Sequence, residues 1–431
     1  MLSRILLLAI SLLIPGALRA EETPAQKAGF APRLTIYLAK GAPDACGPGC
    51  DRWIAIEGEI DQGAAVRIRR FLAGVKDTQR PIYLYSPGGN VEQSYAIGRL
   101  LRSRKAIARV GRTMVTACAS GTQVDAACLK AKSAGGEIEA ELTTRRAMCN
   151  SACGYLFLGA TSREVAPDAG LAVHNSRLVF VVQGRPPPAL IAEARRRRTV
   201  IADRERATYV AAMGISRELD DLIRTVKYED LHVLTRAELY RFGIDTRPLA
   251  ETTWRLEKAT QPFVTKIAML KENGGSSFRM MEWRLYCEKR NRVPLIFAAE
   301  IDEATVAKST VMMTANADET WEAGGSSVRV GKYTMWNGTV EPEMVKAMLA
   351  SRHLQVRETR RMSEETADTA KFEIDLWGLA PVWTQLGASC PPAIPANPPI
   401  PALPTASGST NPWMGLPLPK VTPKPSAAPS P

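Results

Sequence analysis

The region from residue 33 to residue 248 alternates short apolar runs with segments of helical period. The runs are rich in β-branched or aromatic residues, as strands are. They are RLTIYL (33–38), WIAIEGEI (53–60), PIYLY (81–85), IARV (107–110) and LAVH (171–174). Between them, apolar residues recur at helical spacing, first at Ile68, Phe71, Leu72 and Val75 and then at Val91, Tyr95, Gly98 and Leu101. Alternating strands and helices form βαβ units, so this region predicts an α/β domain with a mostly parallel sheet.

The chain changes character after residue 251. Residues 251–390 contain strand-like segments separated by turn-forming Gly, Asn and Asp, which predicts a smaller β-rich domain. Its clearest strands are SSFRMMEWRLYC (276–287), VPLIFAAEI (293–301) and SVRVGKYTMW (327–336). The last 41 residues, 391–431, hold 14 of the 30 prolines. This composition cannot bury a core, so we predict a disordered proline-rich tail there.

The N-terminus has the order of a secretory signal. Arg4 precedes the apolar run Ile5–Ile14, and small residues follow as far as position 20. The run is too short to span a bilayer. We therefore predict a signal peptide over residues 1–20 and an exported protein, periplasmic or secreted, without an integral membrane segment. A retained anchor is the alternative, because Leu18 and Arg19 make the cleavage site imperfect.

The eight cysteines are expected to form disulfides, because thiols pair in an oxidising compartment. Neighbour pairing, one of many connectivities, gives Cys46–Cys50, Cys118–Cys128, Cys149–Cys153 and Cys287–Cys390. A zinc site is the alternative, but none of the three histidines lies near a cysteine pair in sequence. We therefore expect no metal and no cofactor.

The formal net charge of +12 raises the question of a nucleic-acid partner. The densest basic run, Arg195–Arg198, lies inside a predicted long helix from about Pro188 to Met213. It lacks the interleaved aromatic residues on which single-stranded nucleic acids stack. A solvated helix face is the better interpretation, and we expect no nucleic-acid partner.

Three segments carry candidate chemistry: YLYSPGGNV (83–91), CNSACGYLFLGA (149–160) and DAGLAVHNS (168–176). In the first, a strand ends in two glycines just before a predicted helix. Glycines let backbone N–H groups approach a ligand oxygen, and the positive end of a helix dipole favours an oxyanion. Taken alone, Ser-Pro-Gly-Gly is also a common tight turn.

The other two segments supply a hydroxyl and an imidazole. Ser151 stands at the start of a predicted buried helix and could be an N-cap. His174 is the only histidine in the first 231 residues and ends a short strand, where packing is the ordinary role. Acyl transfer needs a nucleophile, a base and two N–H donors, and the three segments together contain candidates for each.

With these segments in this order, the stretch from about Ile54 to Asp245 resembles the proteolytic subunit of Clp protease and its crotonase-superfamily relatives, including exported members. The segment LTRAELYRFGID (234–245) is similar to the family's helix that ends with Gly and an acidic residue. The resemblance covers somewhat under half of the chain. It implies a ClpP/crotonase-like βαβ superhelical domain and a periplasmic serine peptidase or hydrolase that acts on peptide or protein substrates. It also allows a homo-oligomer built through the long helix after His174.

The resemblance assigns roles to residues of this sequence by position. Ser151 becomes the nucleophile and His174 the general base. The backbone N–H groups of Gly89 and Ala152 become the oxyanion hole, with Gly88 as the fallback donor.

The third member of the triad is the weakest assignment. The family's Asp matches Asp230 only if one residue is inserted, and Glu229 is its neighbour. The chain also departs from the family between Gly89 and Ser151, where about 60 residues form a longer connection that could cover the site as a lid. The cysteines on either side of Ser151 are foreign to the cytosolic enzymes.

One other mechanism and two other functions are alternatives to this interpretation. A serine–lysine dyad is a rival mechanism, although no lysine lies close to Ser151 in sequence. A catalytically inactive scaffold or protein-binding module is the main alternative function, because one fold hosts many functions. An acyl-CoA hydratase-like activity is the third, and acyl-CoA is scarce outside the cytosol.

Overall fold

The computed structural model describes residues 31–119, 121–177, 184, 187–272, 275–288, 292–300, 309–316, 319–322, 325–361 and 367–390. The predicted signal peptide and proline-rich tail lie outside the described residues. All of the described residues belong to one compact unit that ends at Cys390. The division into two domains near residue 250 therefore stays a prediction. Within the ranges given above, no helix combines the length and the apolar character that a membrane span needs.

The described residues form helices and strands whose bounds are as follows. The helices are α1 (Ala64–Gly74), α2 (Val91–Ser103), α3 (Ala126–Ser133), α4 (Ala152–Leu158), α5 (Pro188–Ala212), α6 (Arg217–Thr225), α7 (Arg236–Arg241), α8 (Pro342–Ala350) and α9 (Leu379–Ser389). The strands up to residue 251 are β1 (Thr35–Lys40), β2 (Arg52–Glu57), β3 (Ile82–Tyr85), β4 (Ile107–Val110), β5 (Arg112–Val115), β6 (Glu137–Thr143), β7 (Met148–Asn150), β8 (Ser162–Glu164), β9 (Gly170–Val173), β10 (His232–Val233) and β11 (Leu249–Glu251). The later strands are β12 (Arg255–Glu257), β13 (Phe263–Lys271), β14 (Phe278–Tyr286), β15 (Val293–Glu300), β16 (Ser309–Asn316), β17 (Glu319–Glu322), β18 (Gly325–Val330), β19 (Tyr333–Val340), β20 (His353–Arg361) and β21 (Ala367–Asp375).

The first sheet has seven strands in the order β5-β6-β1-β2-β3-β4-β8. Strands β2, β3, β4 and β8 are parallel neighbours, and α1 and α2 connect the first three of them. The apolar runs of β2 and β3 are buried, as in Ile54, Ile56 and Leu84. The predicted βαβ arrangement is therefore confirmed as a mixed α/β fold, although β1 pairs with β2 in the antiparallel sense.

The strand predicted over LAVH does not join this sheet. It is β9, and it lies in a separate three-stranded sheet of order β10-β9-β7. Strands β7 and β9 are parallel, and β10 is antiparallel to β9. Ser151 directly follows β7 and His174 directly follows β9, so this small sheet carries both predicted side chains.

The long connection between Gly89 and Ser151, for which a lid was predicted, is largely built into the first sheet. Its excess residues form β5, α3 and β6, and β6 extends the first sheet by pairing with β1. A buried ion pair of 2.9 Å between Lys132 and Glu57 fastens α3 to the sheet. None of these residues lines the cavity at Ser151.

Residues 249–375 contribute two largely antiparallel sheets. One has β11-β13-β14-β15-β19-β18 in order, with β12 also pairing with β13, and the other has the order β17-β16-β20-β21. Their core includes Trp283 and Phe297, whose ring centroids are 5.0 Å apart. The predicted strand over 327–336 is in fact the hairpin β18–β19, because the chain turns at Gly331 with a φ of 60°.

The four predicted disulfides are all present: Cys46–Cys50, Cys118–Cys128, Cys149–Cys153 and Cys287–Cys390. The long helix is also confirmed, since α5 runs from Pro188 to Ala212. The side chains of Arg195–Arg198 are exposed on α5, and Glu193 pairs with two of them. This pattern is that of a solvated helix face.

Candidate active site

Ser151 occupies a sharp turn between β7 and α4. Its backbone has a φ of 55° and a ψ of −124°, a region that costs a non-glycine residue about 1–3 kcal/mol. Ser151 is in the N-cap position of α4, yet its side chain makes no capping hydrogen bond. The Ser151 side chain therefore does not cap α4, and its hydroxyl has no capping role in the strained turn. Serine hydrolases of the nucleophile-elbow type hold their serine on a strained strand-to-helix turn of this kind.

The diglycine turn (residues 86–90) is hydrogen-bonded to the strand that leads to Ser151. The Ser86 N–H donates to the Met148 carbonyl over 3.1 Å, and the Asn150 N–H donates to the Ser86 carbonyl over 3.0 Å. These two bonds make a parallel bridge between Ser86 and Cys149. The sequence did not show this pairing, because β7 has three residues and no detectable period.

Gly88 lies directly against the Ser151 turn. Its φ is 106°, and a Cβ built on it would lie 2.8 Å from Ser151 Cβ and 3.1 Å from the Ala152 nitrogen. Real Cβ atoms do not approach a carbon to that distance, so only glycine fits here. The sequence-predicted meeting of the diglycine turn with Ser151 is thus present in the structure.

Two of the three candidate oxyanion donors have unused N–H groups. The Gly88 N–H donates to Ser86 Oγ over 3.1 Å, which occupies the fallback donor. The backbone N–H groups of Gly89 and Ala152 make no hydrogen bond to any described residue. Gly89 has a φ of 134°. On one side of it the Gly88 carbonyl accepts a hydrogen bond from the Ile60 N–H, and on the other side the Asn90 N–H donates to the Ile60 carbonyl. Its own N–H is left without a hydrogen-bond partner among the described residues, one position after Gly88.

His174 lies at the end of β9, half-buried. Burial lowers the pKa of its imidazole below the ordinary 6.5, while the backbone of Tyr228 and the negative charge of Glu229 act in the opposite direction. The Tyr228 ring packs on it, with centroids 5.1 Å apart. His174 Nδ1 is buried and makes no hydrogen bond of good geometry within the described part of the chain. An imidazole with a lowered pKa is neutral at pH 7, as a general base must be.

Ser151 and His174 line the same small cleft, which opens to solvent. The other lining residues are Gly154, Tyr155, Leu158, Leu171, Val173, Leu219, Ile223, Leu234 and Ile244. None of these carries a charge, and no lysine is among them. The structure therefore brings the predicted nucleophile and base to one apolar cleft and gives no support to a serine–lysine dyad.

The predicted third member of the triad, Asp230, does not line the cleft that Ser151 and His174 share. Asp230 is exposed, and its N–H donates to the Lys227 carbonyl in a turn. Among the described residues, Asp230 makes no hydrogen bond or ion pair with His174, and Glu229 is the carboxylate whose charge acts on the imidazole. The role of Asp230 stays a prediction.

Sequence reasoning missed the wall of the cleft that α6 provides. Leu219 and Ile223 of this helix line the cavity and are buried. Their spacing of four residues is the signal that could have found them, because it places both on one face of a helix. Tyr228 was also missed, and its exposed position in a turn gives no pattern in the sequence.

No family model matches the chain, and no curated protein matches it. Solved structures that it matches include a membrane-bound stomatin-specific protease, at 15% identity over 44% of this chain and 75% of that one, with a TM-score of 0.27. ClpP1 from Listeria monocytogenes matches at 20% identity over 44% and 87%, with a TM-score of 0.27. The invasion associated protein B from Bartonella henselae matches at 12% identity over 32% and 91%, with a TM-score of 0.24. TM-scores this low carry no argument about fold or function.

Proposed function

We propose that the protein is an exported serine hydrolase of the ClpP/crotonase type that cleaves peptide or protein substrates. The observation that carries the proposal is the meeting of three groups. Ser151 and His174 line one cleft, and Gly88 lies against the Ser151 turn. Acyl transfer needs a nucleophile, a base and N–H donors for the oxyanion, and Gly88 brings the diglycine turn against the nucleophile.

The proposed reaction begins when His174 accepts the hydroxyl proton of Ser151 as the serine oxygen bonds to the substrate carbonyl carbon. The carbonyl oxygen becomes an oxyanion, and the N–H groups of Gly89 and Ala152 donate hydrogen bonds to it. His174 then gives its proton to the leaving amine as the carbon–nitrogen bond breaks. Water attacks the acyl-enzyme by the same route and restores the serine.

The protein environment supports each of these roles. The lowered pKa of His174 keeps the imidazole neutral and ready to accept a proton at neutral pH. The walls of the cleft beside Ser151, such as Leu158 and Ile223, are apolar. The helix α4 begins directly after Ser151, and the positive end of its dipole favours the oxyanion.

Export and self-association belong to the same proposal. The four disulfides are compatible with an oxidising compartment, as expected of a periplasmic or secreted protein. The long helix α5 exposes Leu190, Val200 and Ile201, which is compatible with a homo-oligomer.

The alternative function is an inactive scaffold or protein-binding module on the same fold. One observation favours it, because Nδ1 of His174 lacks a hydrogen-bonded carboxylate within the described residues. A triad orients its imidazole through such a bond, although partial activity survives without the acid.

Labelling with a fluorophosphonate probe separates the two functions. The wild-type protein should be labelled, and Ser151→Ala and His174→Ala should each abolish labelling. Ser162→Ala, which removes an exposed hydroxyl in β8, serves as the matched control and should be labelled like the wild type. Labelling that survives Ser151→Ala would contradict the assignment, and a folded wild-type protein that resists the probe would favour the scaffold.

A further inference from the structure

The turn that carries Ser151 lies inside a small covalent ring. Cys149 is the central residue of β7 and pairs with Leu171 of β9, while Cys153 lies in the first turn of α4. Their disulfide spans four positions in sequence, with Ser151 at the middle of the ring. Both cysteines are 0% exposed. The bridge therefore fastens the first turn of α4 to the strand before it.

Hydrogen bonds hold the first half of this ring. The Asn150 N–H donates to the Ser86 carbonyl, and the Ser151 N–H donates to the Ala172 carbonyl over 2.8 Å. The second half is held differently, because the Ala152 N–H makes no hydrogen bond to a described residue. The residue that follows Ala152 is Cys153, and the disulfide ties it back to β7. The bridge therefore holds the half of the turn that contains the free donor, together with the 2.9 Å hydrogen bond from the Gly154 N–H to the Ser151 carbonyl.

The conformation that the ring holds is an unfavourable one. Ser151 has a positive φ of 55°, which a residue with a side chain adopts only when its surroundings enforce it. The strand β7 has three residues and α4 has seven, so the elements on either side offer few other bonds that could enforce it. Without the bridge, one backbone hydrogen bond, from the Gly154 N–H to the Ser151 carbonyl, is left to resist rotation of the peptide that carries the Ala152 N–H.

We propose that the Cys149–Cys153 disulfide is a positioning element for acyl transfer, which holds Ser151 in its strained turn and aims the Ala152 N–H at the oxyanion. The proposal rests on the hydrolase function proposed above. The bridge touches neither substrate nor reacting atoms and acts through Ser151 and Ala152. Its removal lowers the rate of the chemical step, while the fold and the apolar cleft remain.

The chain offers a matched control in the Cys46–Cys50 disulfide. This bridge also spans four positions, and its Cα–Cα distance of 5.1 Å equals the 5.2 Å of Cys149–Cys153 within 0.1 Å. Equal loop lengths give the unfolded chain the same gain in freedom when either bridge is removed. Cys46 and Cys50 do not line the cavity. The double variants C149A/C153A and C46A/C50A therefore share the entropic cost and differ in their distance from Ser151 and in burial, since Cys149 and Cys153 are fully buried and Cys50 is partly exposed.

The test measures fluorophosphonate inactivation at several probe concentrations, which separates the binding constant KI from the rate constant kinact. We expect C149A/C153A to lower kinact by about 100-fold, the size of effect for a misaligned nucleophile or donor, with KI unchanged within about twofold. C46A/C50A should retain both constants. Thermal unfolding should show the larger fall in Tm for C149A/C153A, because it also removes two fully buried sulfur atoms from the core.

Each other outcome overturns the inference. A wild-type kinact in C149A/C153A would show that the bridge does not position the turn, and an equal fall of kinact in both variants would show a general loss of stability. If C149A/C153A does not fold, C149V/C153A refills the core, and a failure of that variant to fold overturns the claim that the fold remains.

A second measurement separates this inference from the proposed function. If the probe does not label wild-type Ser151, the hydrolase proposal fails, and hydrogen exchange still tests the turn. The amides of residues 150–154 should exchange faster in C149A/C153A than in C46A/C50A. Equal exchange in the two variants would overturn the positioning role of the bridge whatever the activity.

Discussion

Gly88→Ala is expected to destabilise the protein and to abolish labelling of Ser151. The added Cβ would lie 2.7 Å from the Asn150 carbonyl oxygen and 2.8 Å from Ser151 Cβ. Neither neighbour can move freely, because the N–H groups of Asn150 and Ser151 are hydrogen-bonded to the Ser86 and Ala172 carbonyls. The methyl group therefore pushes the diglycine turn and the Ser151 turn apart.

Two costs add to the expected loss of stability. Alanine at a φ of 106° pays a backbone cost of about 1–2 kcal/mol. Overpacking against fixed backbone atoms costs a further ~1–3 kcal/mol. The free energy of unfolding should therefore fall by about 2–5 kcal/mol, which a domain of ordinary stability survives at 25 °C.

Gly135→Ala is the matched control for this experiment. Gly135 also has a positive φ, 84°, but no atom lies within 4 Å of a Cβ built there. It should lose only the backbone cost of about 1–2 kcal/mol and should keep its labelling. Urea denaturation measures the stability of both variants, and the fluorophosphonate probe measures the site.

The reasoning would be refuted if Gly88→Ala were no less stable than Gly135→Ala and were labelled at the wild-type rate. Such a result would mean that the diglycine turn does not press on Ser151. The assignment of the Gly89 N–H to an oxyanion hole would then fall with it.

Two other predictions concern the base and the core. The rate of labelling should rise with pH around a midpoint below 6.5, because His174 must lose its proton and burial lowers its pKa. Glu229→Gln should move that midpoint to lower pH, since it removes a charge that raises this pKa, and an unmoved midpoint would exclude Glu229 as a partner. Asp245→Asn should lower the free energy of unfolding by about 3–5 kcal/mol in urea denaturation, because it leaves the buried Arg236 without its carboxylate. Glu193→Gln on the exposed face of α5 should cost less than about 1 kcal/mol, and equal losses would contradict the argument.

Much of the first sheet was predictable because its strands are buried runs with strong local patterns. The predicted runs over 53–60, 81–85 and 107–110 overlap β2, β3 and β4 within a few residues. Three of the disulfides were predictable for a related reason, because their cysteines are 4 or 10 positions apart, whereas Cys287–Cys390 was assigned as the remaining pair, 103 positions apart. The strands of the first sheet and these three bridges depend on information that lies within about ten residues along the chain.

The separate sheet of β7 and β9 could not be predicted in the same way. Strand β7 has three residues, which is too few to show an alternating pattern. Its neighbours are distant in sequence, and its bonds to Ser86 are made by backbone groups that every residue type carries. The choice between Glu229 and Asp230 was also beyond the sequence, because it depends on how one short turn faces His174.

The register of β7 against β9 decides whether Ser151 and His174 can share a cleft. Asn150 lies opposite Ala172, so the two strands end at the same edge, as the carboxyl ends of parallel neighbours do. A slip by one residue would turn the side chains of either strand to the other face and separate the hydroxyl from the imidazole. The start of β9 is held by an ion pair between Asp168 and Arg255 of β12. Arg255 of the β-rich part therefore contacts the small sheet at the end opposite Ser151 and His174. This contact can help to hold the register of β9 without covering the cleft.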